Sequence, residues 1–288
     1  MTDPALLSPE GVALVRAPVA PVQAEPRVSS AQTSQALFGH AVWLLAREGD
    51  WHRVRTPHDG YEGWTHAGYL TPVDESEVRT MLAELRTSLR HPVAPNAHLQ
   101  LVLQPDSAET RHSLGCTARV GGRTLRLPLG AHVPAGQPLL AGEAVPLTEL
   151  AERFPPDGDA VVRTALHHFE ATSYQWGGTT PWGADCSGMV QSVYALHGVR
   201  LPRDAWQQAQ AGADAGADPA AHRPGDLLFF SDRDDRRVTH VGIAAGGGTL
   251  CHLALGRGGW AVDDLADEAD AYAARLRGQL VGARRVLG

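Results

Sequence analysis

At Phe154-Pro155-Pro156 the hydrophobic period of the chain changes, and this change constrains the fold more than any other feature. Before it, apolar residues alternate with polar ones in short runs cut by Pro and Gly, the period of half-buried strands. After it, Val161, Val162, Ala165, Leu166 and Phe169 recur at the three and four spacing of a helix face. Further on, DLLFF (226–230), THVGIAA (239–245), TLCHLAL (249–255) and QLVGARRVL (279–287) read as strands between Gly-rich turns. Helices first and strands second predict an α+β unit. With 288 residues against about 150 per domain, a β-rich body ahead of this unit is expected.

The front half subdivides. AVWLLAREGDWHRV, TPHDGYEGW and THAGYLTPV are spaced as a meander of short strands, which predicts a small β-barrel over residues 1–75. Residues 74–90, DESEVRTMLAELRTSLR, place Val78, Met81, Leu82, Leu85 and Leu89 on one helix face behind an acidic start, so a linker helix follows. From His91 to about Leu147, HLQLVLQP and TLRLPLG restore the strand period, and 76–150 is read as linker helix plus second small barrel. Residues 151–288 form the third domain.

Charge and cysteine usage exclude several function classes. Lys plus Arg total 25 and Asp plus Glu 32, a net charge of −7, which is the wrong sign for a nucleic-acid binder and suits a substrate with a cationic end. Apolar runs such as Ala41–Ala46 and Val241–Ala245 are far shorter than the ~18 residues of a membrane helix, so no membrane partner is expected. The first twenty residues lack a basic start followed by an apolar core, and a cytoplasmic protein is expected. Cys116, Cys186 and Cys251 are too scattered for a disulfide framework, which leaves a working thiol possible. The 14 histidines show no metal-site spacing, and neither metal nor cofactor is predicted. Gly246–Gly248 has no following helix or Lys and reads as a hairpin turn rather than a phosphate cradle.

Chemistry concentrates in GGTTPWGADCSGMVQSVYALHG, where a Gly- and Pro-rich loop runs straight into an apolar-periodic helix of Met189, Val190, Val193, Tyr194 and Leu196. Cys186 therefore falls at a helix start, where unpaired backbone N–H groups and the helix dipole favour a thiolate. A nucleophilic thiol works with a general base held in one tautomer by a third group. His240 and His252, on consecutive strand patterns, are the candidates for base and orienter. Cys251, beside His252, is read as a small core residue, and Trp176 and Trp182 as packing residues flanking the loop.

Together these residues resemble the NlpC-type cell-wall peptidases, cysteine enzymes with a papain-like core. The resemblance covers roughly 155–288 and rests on YQWGG with DCSG, twelve residues from Tyr174 to Cys186, on RPGDLLFF, on THVGI, and on His252 twelve residues after His240. It implies Cys186 as nucleophile, His240 as general base and acid, His252 as the residue orienting it, and Tyr174 near the oxyanion. SQALFGHAVWLLAREGDWHRVRTPHDGYEGW is similar to the first bacterial SH3-like domain of the γ-D-glutamyl-L-diamino acid endopeptidases, in which two such barrels precede the catalytic domain. The fold implied is thus multidomain, two SH3-like β-barrels and an α+β papain-like domain.

The implied activity is hydrolysis of the γ-D-Glu to diamino acid bond in murein stem peptides with a free N-terminal L-Ala, in wall-peptide recycling. A buried ammonium must be paired and hydrogen-bonded. Asp185, Ser187 and Asp204 are candidate anchors for it, and Tyr61 of the first barrel is a candidate to close the pocket. Ala205 stands where the family often has a hydroxyl. Two other readings compete: a secreted autolysin acting on intact peptidoglycan, and a non-catalytic wall-peptide-binding protein.

Overall fold

The computed structural model describes residues 11–73, 110–134, 136–216, 218 and 221–287, which divide into two units, 1–148 and 149–288. The linker helix expected at 74–90 and the strand run at 98–105 lie outside the described residues.

The first unit opens with seven strands: β1 Gly11–Val15, β2 Val19–Gln23, β3 Gln32–Leu37, β4 Ala41–Glu48, β5 Trp51–Arg55, β6 Glu62–His66 and β7 Leu70–Val73. They form an antiparallel sheet in the order β3-β2-β6-β5-β4-β1-β7. Ala13, Val15, Ala20, Val22, Val42 and Val54 are buried in its core, as the period-two pattern requires, and the half-buried ring of Tyr61 packs against them. The β5–β6 turn is closed by Asp59, whose Oδ1 accepts from the Thr56 hydroxyl and, at 3.0 Å, from the Tyr61 N–H. Three longer strands, β8 Arg111–Val120, β9 Arg123–Val133 and β10 Leu139–Pro146, make a second antiparallel sheet in the order β10-β8-β9. Its core of Cys116, Ala118, Leu125, Leu127, Ala131 and Val133 is completed by Leu37 and Phe38 from the end of β3.

The second unit begins with α1 Leu150–Arg153 and α2 Gly158–Phe169, then the two-residue strands β11 Thr179–Thr180 and β12 Gly183–Ala184, α3 Cys186–Leu196 and α4 Ala205–Gln208. There follow β13 Ala213–Asp214, β14 Leu227–Phe230, β15 His240–Gly246, β16 Thr249–Ala254, β17 Gly259–Asp264, α5 Ala271–Gly278 and β18 Leu280–Arg285. The strands from β13 onward form one antiparallel sheet, β13-β18-β14-β15-β16-β17, against which α2 and α3 lie at β15 and β16. The order of helices before strands matches the α+β expectation.

Asp157 starts α2 by accepting from the Ala160 N–H at 2.9 Å. Helix α3 is apolar nearly all round because it is enclosed nearly all round: Met189, Val190 and Val193 are 0% exposed and Leu196 1%. At about 1.5–3 kcal/mol for each such side chain, this burial seats the helix and the residue that begins it. The Tyr194 hydroxyl donates to the Gly225 carbonyl and ties the same helix to the turn before β14.

Candidate active site

Cys186 is the first residue of α3, and Asp185 is its N-cap, with Oδ1 accepting from the Gly188 N–H at 2.7 Å. The loop before the helix closes onto it so tightly that a Cβ at Gly188 would lie 2.1 Å from the Gly178 carbonyl oxygen. This is why the residue two past the cysteine must lack a side chain. Asp185 is 5% exposed, and its second oxygen accepts from the Gly177 N–H at 2.8 Å. Arg203, 2% exposed, grips the same carboxylate, Nη2 to Oδ2 at 2.6 Å and Nη1 to Oδ1 at 3.0 Å, and also donates to Ser187 Oγ at 3.0 Å. The Ser187 hydroxyl in turn donates to Asp185 Oδ1 at 3.3 Å. Asp185 and Ser187, read from sequence as candidate anchors for a substrate ammonium, here also fix the loop, through the helix cap and through Arg203. Nothing in the sequence reading singled out Arg203.

The thiol differs from expectation as well. Burial, and next the Asp185 carboxylate, push the Cys186 thiol up to about 12; the backbone N–H groups of Val241 and Ser187 and the Arg203 charge oppose this and are outweighed. The helix start does act on the sulfur through the Ser187 N–H, while Asp185 takes the Gly188 N–H one residue further on. Burial thus favours the thiol over the thiolate at Cys186.

The Val241 N–H that faces Cys186 belongs to the residue after His240, so the start of β15 lies against the cysteine. His240 Nε2 lies 2.7 Å from His252 Nδ1. Ile243 pairs with Cys251 across β15 and β16, which turns Gly242 and His252 to one face and His240, two residues before Gly242, to the same face. A Cβ at Gly242 would sit 3.0 Å from His252 Cβ and 2.7 Å from Leu250 Cδ1, so the glycine clears the path by which the two rings meet. Burial foremost, then the neighbouring His252, lower the His240 pKa to about 3, so this imidazole is neutral across the physiological range. Cys251 faces the other way, is 1% exposed, and has its thiol pushed up to about 11 by burial, in keeping with a core residue.

His252 is 0% exposed, and its Nε2 lies 2.8 Å from Asp263 Oδ2. Asp263 sits on β17 and is held from behind by Arg257, Nη2 to Oδ1 at 2.8 Å. Neither residue was identified from sequence.

Tyr174 is half-buried, its backbone bridged to Ala184, and its hydroxyl pKa is raised by burial and then by the neighbouring Cys186 and Asp185. Asp204 is half-buried and forms a reciprocal capping box with Gln207 at the start of α4, while Ala205 behind it is buried. Tyr61 belongs to the first unit's core layer. Trp176 and Trp182 are 65% and 49% exposed, so they are surface residues of this unit and not the packing residues expected.

A buried cysteine at a helix start, a neutral imidazole delivered by the adjacent strand and a second imidazole behind it define the cysteine-peptidase type of site. Residues 171–273 match the NlpC/P60 family, and residues 22–67 match the bacterial dipeptidyl-peptidase Sh3 domain. The chain thus carries an NlpC/P60 peptidase domain behind an SH3-like β-rich region. It is 29% identical over 233 residues to a gamma-D-glutamyl-L-lysine dipeptidyl-peptidase of Bacillus cereus (strain ATCC 10987 / NRS 248), covering 76% of this chain and 66% of that protein. A protein of the same name from Bacillus subtilis (strain 168) is 28% identical over 231 residues, 76% of this chain and 71% of that protein. The fold is shared with the crystal structure of an NlpC/P60 family protein from Bacillus cereus ATCC 10987, with a TM-score of 0.70 over 96% of this chain and 100% of that chain at 19% identity.

Proposed function

We propose that the protein is a cysteine peptidase that hydrolyses the bond between γ-D-Glu and the diamino acid of murein stem peptides bearing a free N-terminal L-Ala. The observation that carries this reading is the placement of Cys186 against the backbone of β15, whose first residue, His240, is 2.7 Å from His252. The substrate class is supported by similarity to two proteins named gamma-D-glutamyl-L-lysine dipeptidyl-peptidase.

Burial favours the neutral form of both Cys186 and His240, so in this reading the proton leaves sulfur as the C–S bond forms. His240 takes it, the γ-carbonyl becomes a tetrahedral oxyanion, and the Cys186 N–H at the helix start, aided by Tyr174, stabilises that oxygen. His240 then gives the proton to the departing amine of the diamino acid as the C–N bond breaks. In the second half His240 deprotonates water, which attacks the thioester and releases the γ-D-Glu carboxylate and the thiol. His252 holds the His240 ring throughout.

With Asp185 engaged by Arg203, Asp204 is the carboxylate assigned to the substrate ammonium. A requirement for that ammonium selects peptides already released from the glycan, as a recycling role requires. Cleavage of L-Ala-γ-D-Glu-diaminopimelate should exceed cleavage of its N-acetyl form by at least 100-fold, given the roughly 3 kcal/mol or more at stake in an unpaired buried charge. Equal rates on both would remove the amine from the mechanism.

A further inference from the structure

His252 has no exposed surface, and both its ring nitrogens are engaged by named partners, so the tautomer of the neutral ring can be read from them. On one side is Asp263. Burial pushes its carboxyl pKa up, but hydrogen bonds from His252 and Arg257 outweigh this and hold it below the usual carboxylate value. An ionised carboxylate only accepts, so the nitrogen 2.8 Å from it, His252 Nε2, carries the hydrogen. A neutral His252 then has its lone pair at Nδ1, and the nitrogen 2.7 Å away, His240 Nε2, must donate to it. What remains unprotonated on His240 is Nδ1.

We infer that Asp263, clamped by Arg257, is a positioning residue that fixes the tautomers of His252 and His240 in series and so leaves the Nδ1 lone pair of His240 to receive the thiol proton. This rests on the peptidase reading above and adds to it a fourth member, one imidazole removed from the reacting atoms.

The surroundings of Asp263 fit this task. Arg257 Nη2 holds Oδ1 at 2.8 Å, which leaves Oδ2 directed at His252, although Arg257 Nε also reaches Oδ2 at 3.4 Å. Arg257 is itself fastened, by Asp270 at the start of α5 and by the face of Tyr272, 4.4 Å from its guanidinium carbon. The Tyr272 ring lies 6.3 Å from that of His252 and also carries Arg275 at 5.0 Å. The fixed negative charge is thus one ring away from where positive charge develops when His240 becomes imidazolium.

Arg257 also makes the test specific. In Asp263→Asn the guanidinium, which only donates, must take the amide oxygen, turning the NH2 toward His252 Nε2. His252 is then driven to the Nδ1–H tautomer, His240 Nε2 must accept, and the hydrogen moves to His240 Nδ1, where it opposes the thiol hydrogen. A wrong tautomer in a Ser-His-Asp triad costs roughly 10⁴-fold in kcat. With one more ring free to rotate, a loss of about 10²-fold is expected here, at the low end of what general acid–base catalysis contributes.

The experiment uses the full chain as wild type, Asp263→Asn, Asp263→Glu and Cys186→Ala, with steady-state kinetics on L-Ala-γ-D-Glu-diaminopimelate and ¹⁵N-histidine NMR. Asp263→Asn should lose about 10²-fold in kcat with KM within threefold, keep its melting temperature within a few degrees, and move the His252 hydrogen from Nε2 to Nδ1 in the spectrum. Asp263→Glu should regain part of the rate and the Nε2–H form. A folded Asp263→Asn chain with wild-type kcat, or with His252 still protonated at Nε2, overturns the inference. If Asp263→Asn does not fold, the wild-type and Asp263→Glu spectra decide the matter: Nδ1–H on His252 in either would overturn it. Turnover by Cys186→Ala would instead overturn the peptidase reading, and the NMR result stands independently of it.

Discussion

Arg203→Ala tests the buried Arg203–Asp185 pair most sharply. The guanidinium makes four hydrogen bonds in a buried setting, two to Asp185, one to Ser187 Oγ and a longer one to the Gly178 carbonyl at 3.4 Å. Deleting it leaves the Asp185 carboxylate, 5% exposed, with two backbone N–H groups and one hydroxyl but no counter-charge. Breaking a buried pair from one side costs about 3–5 kcal/mol. At roughly 2–4 °C per kcal/mol for a chain of this size, the melting temperature should fall by about 6–20 °C. Adding Asp185→Asn should restore part of that loss, since no charge is then left buried, and the two effects should be strongly non-additive. Differential scanning calorimetry on the four chains measures the cycle. The thiol provides an independent reading. Arg203 lowers and Asp185 raises the Cys186 pKa, so alkylation by iodoacetamide at fixed pH should slow in Arg203→Ala and quicken in Asp185→Asn. A melting temperature within about 3 °C of wild type, with alkylation unchanged, would refute the buried-pair argument.

Gly242→Ala places a methyl group where Leu250 and His252 now stand, and should lower kcat by about tenfold or more through displacement of His252 while KM changes little. Steady-state kinetics with a thermal melt separates this from unfolding. In the first unit, burial lowers His40 to about 4, and burial with His40, His112 and His58 nearby holds His132 well below its usual value; the His40 and His132 rings are 4.6 Å apart. Both are neutral when folded, so the unfolded chain binds more protons below pH 6.5. Their contribution is present above that pH and is lost as pH falls toward about 4, up to about 2 kcal/mol per histidine by pH 5. Urea melts at pH 7.5 and pH 5 should show this loss, and His132→Gln should reduce it.

The position of the candidate nucleophile, Cys186, is legible because a Gly- and Pro-rich loop ending in Asp185 and opening an apolar helix has few other readings. The two histidines are legible for the same kind of reason, each within a strand pattern. Strand β17 was not legible, and with it Asp263. GWAVDD turns Val262 outward at 48% exposure and buries Asp263 at 6%, the reverse of a hydrophobic alternation, because the slot it fills faces a histidine and an arginine rather than apolar side chains. The acidity of the thiol is not legible from a local rule on helix starts. The Ser187 N–H acts on the sulfur at the helix start as expected, but burial, and next the Asp185 carboxylate, outweigh it. Such competition depends on neighbours brought in from Arg203 and Val241, far along the chain.

The most direct test is mass-resolved product analysis of L-Ala-γ-D-Glu-diaminopimelate incubated with the wild-type chain and with Cys186→Ala. Release of L-Ala-γ-D-Glu and free diaminopimelate by the wild type, with none from Cys186→Ala, is the expected result. Cleavage at the L-Ala bond instead, or equal release by both proteins, would contradict a thiol at residue 186 attacking the γ-carbonyl.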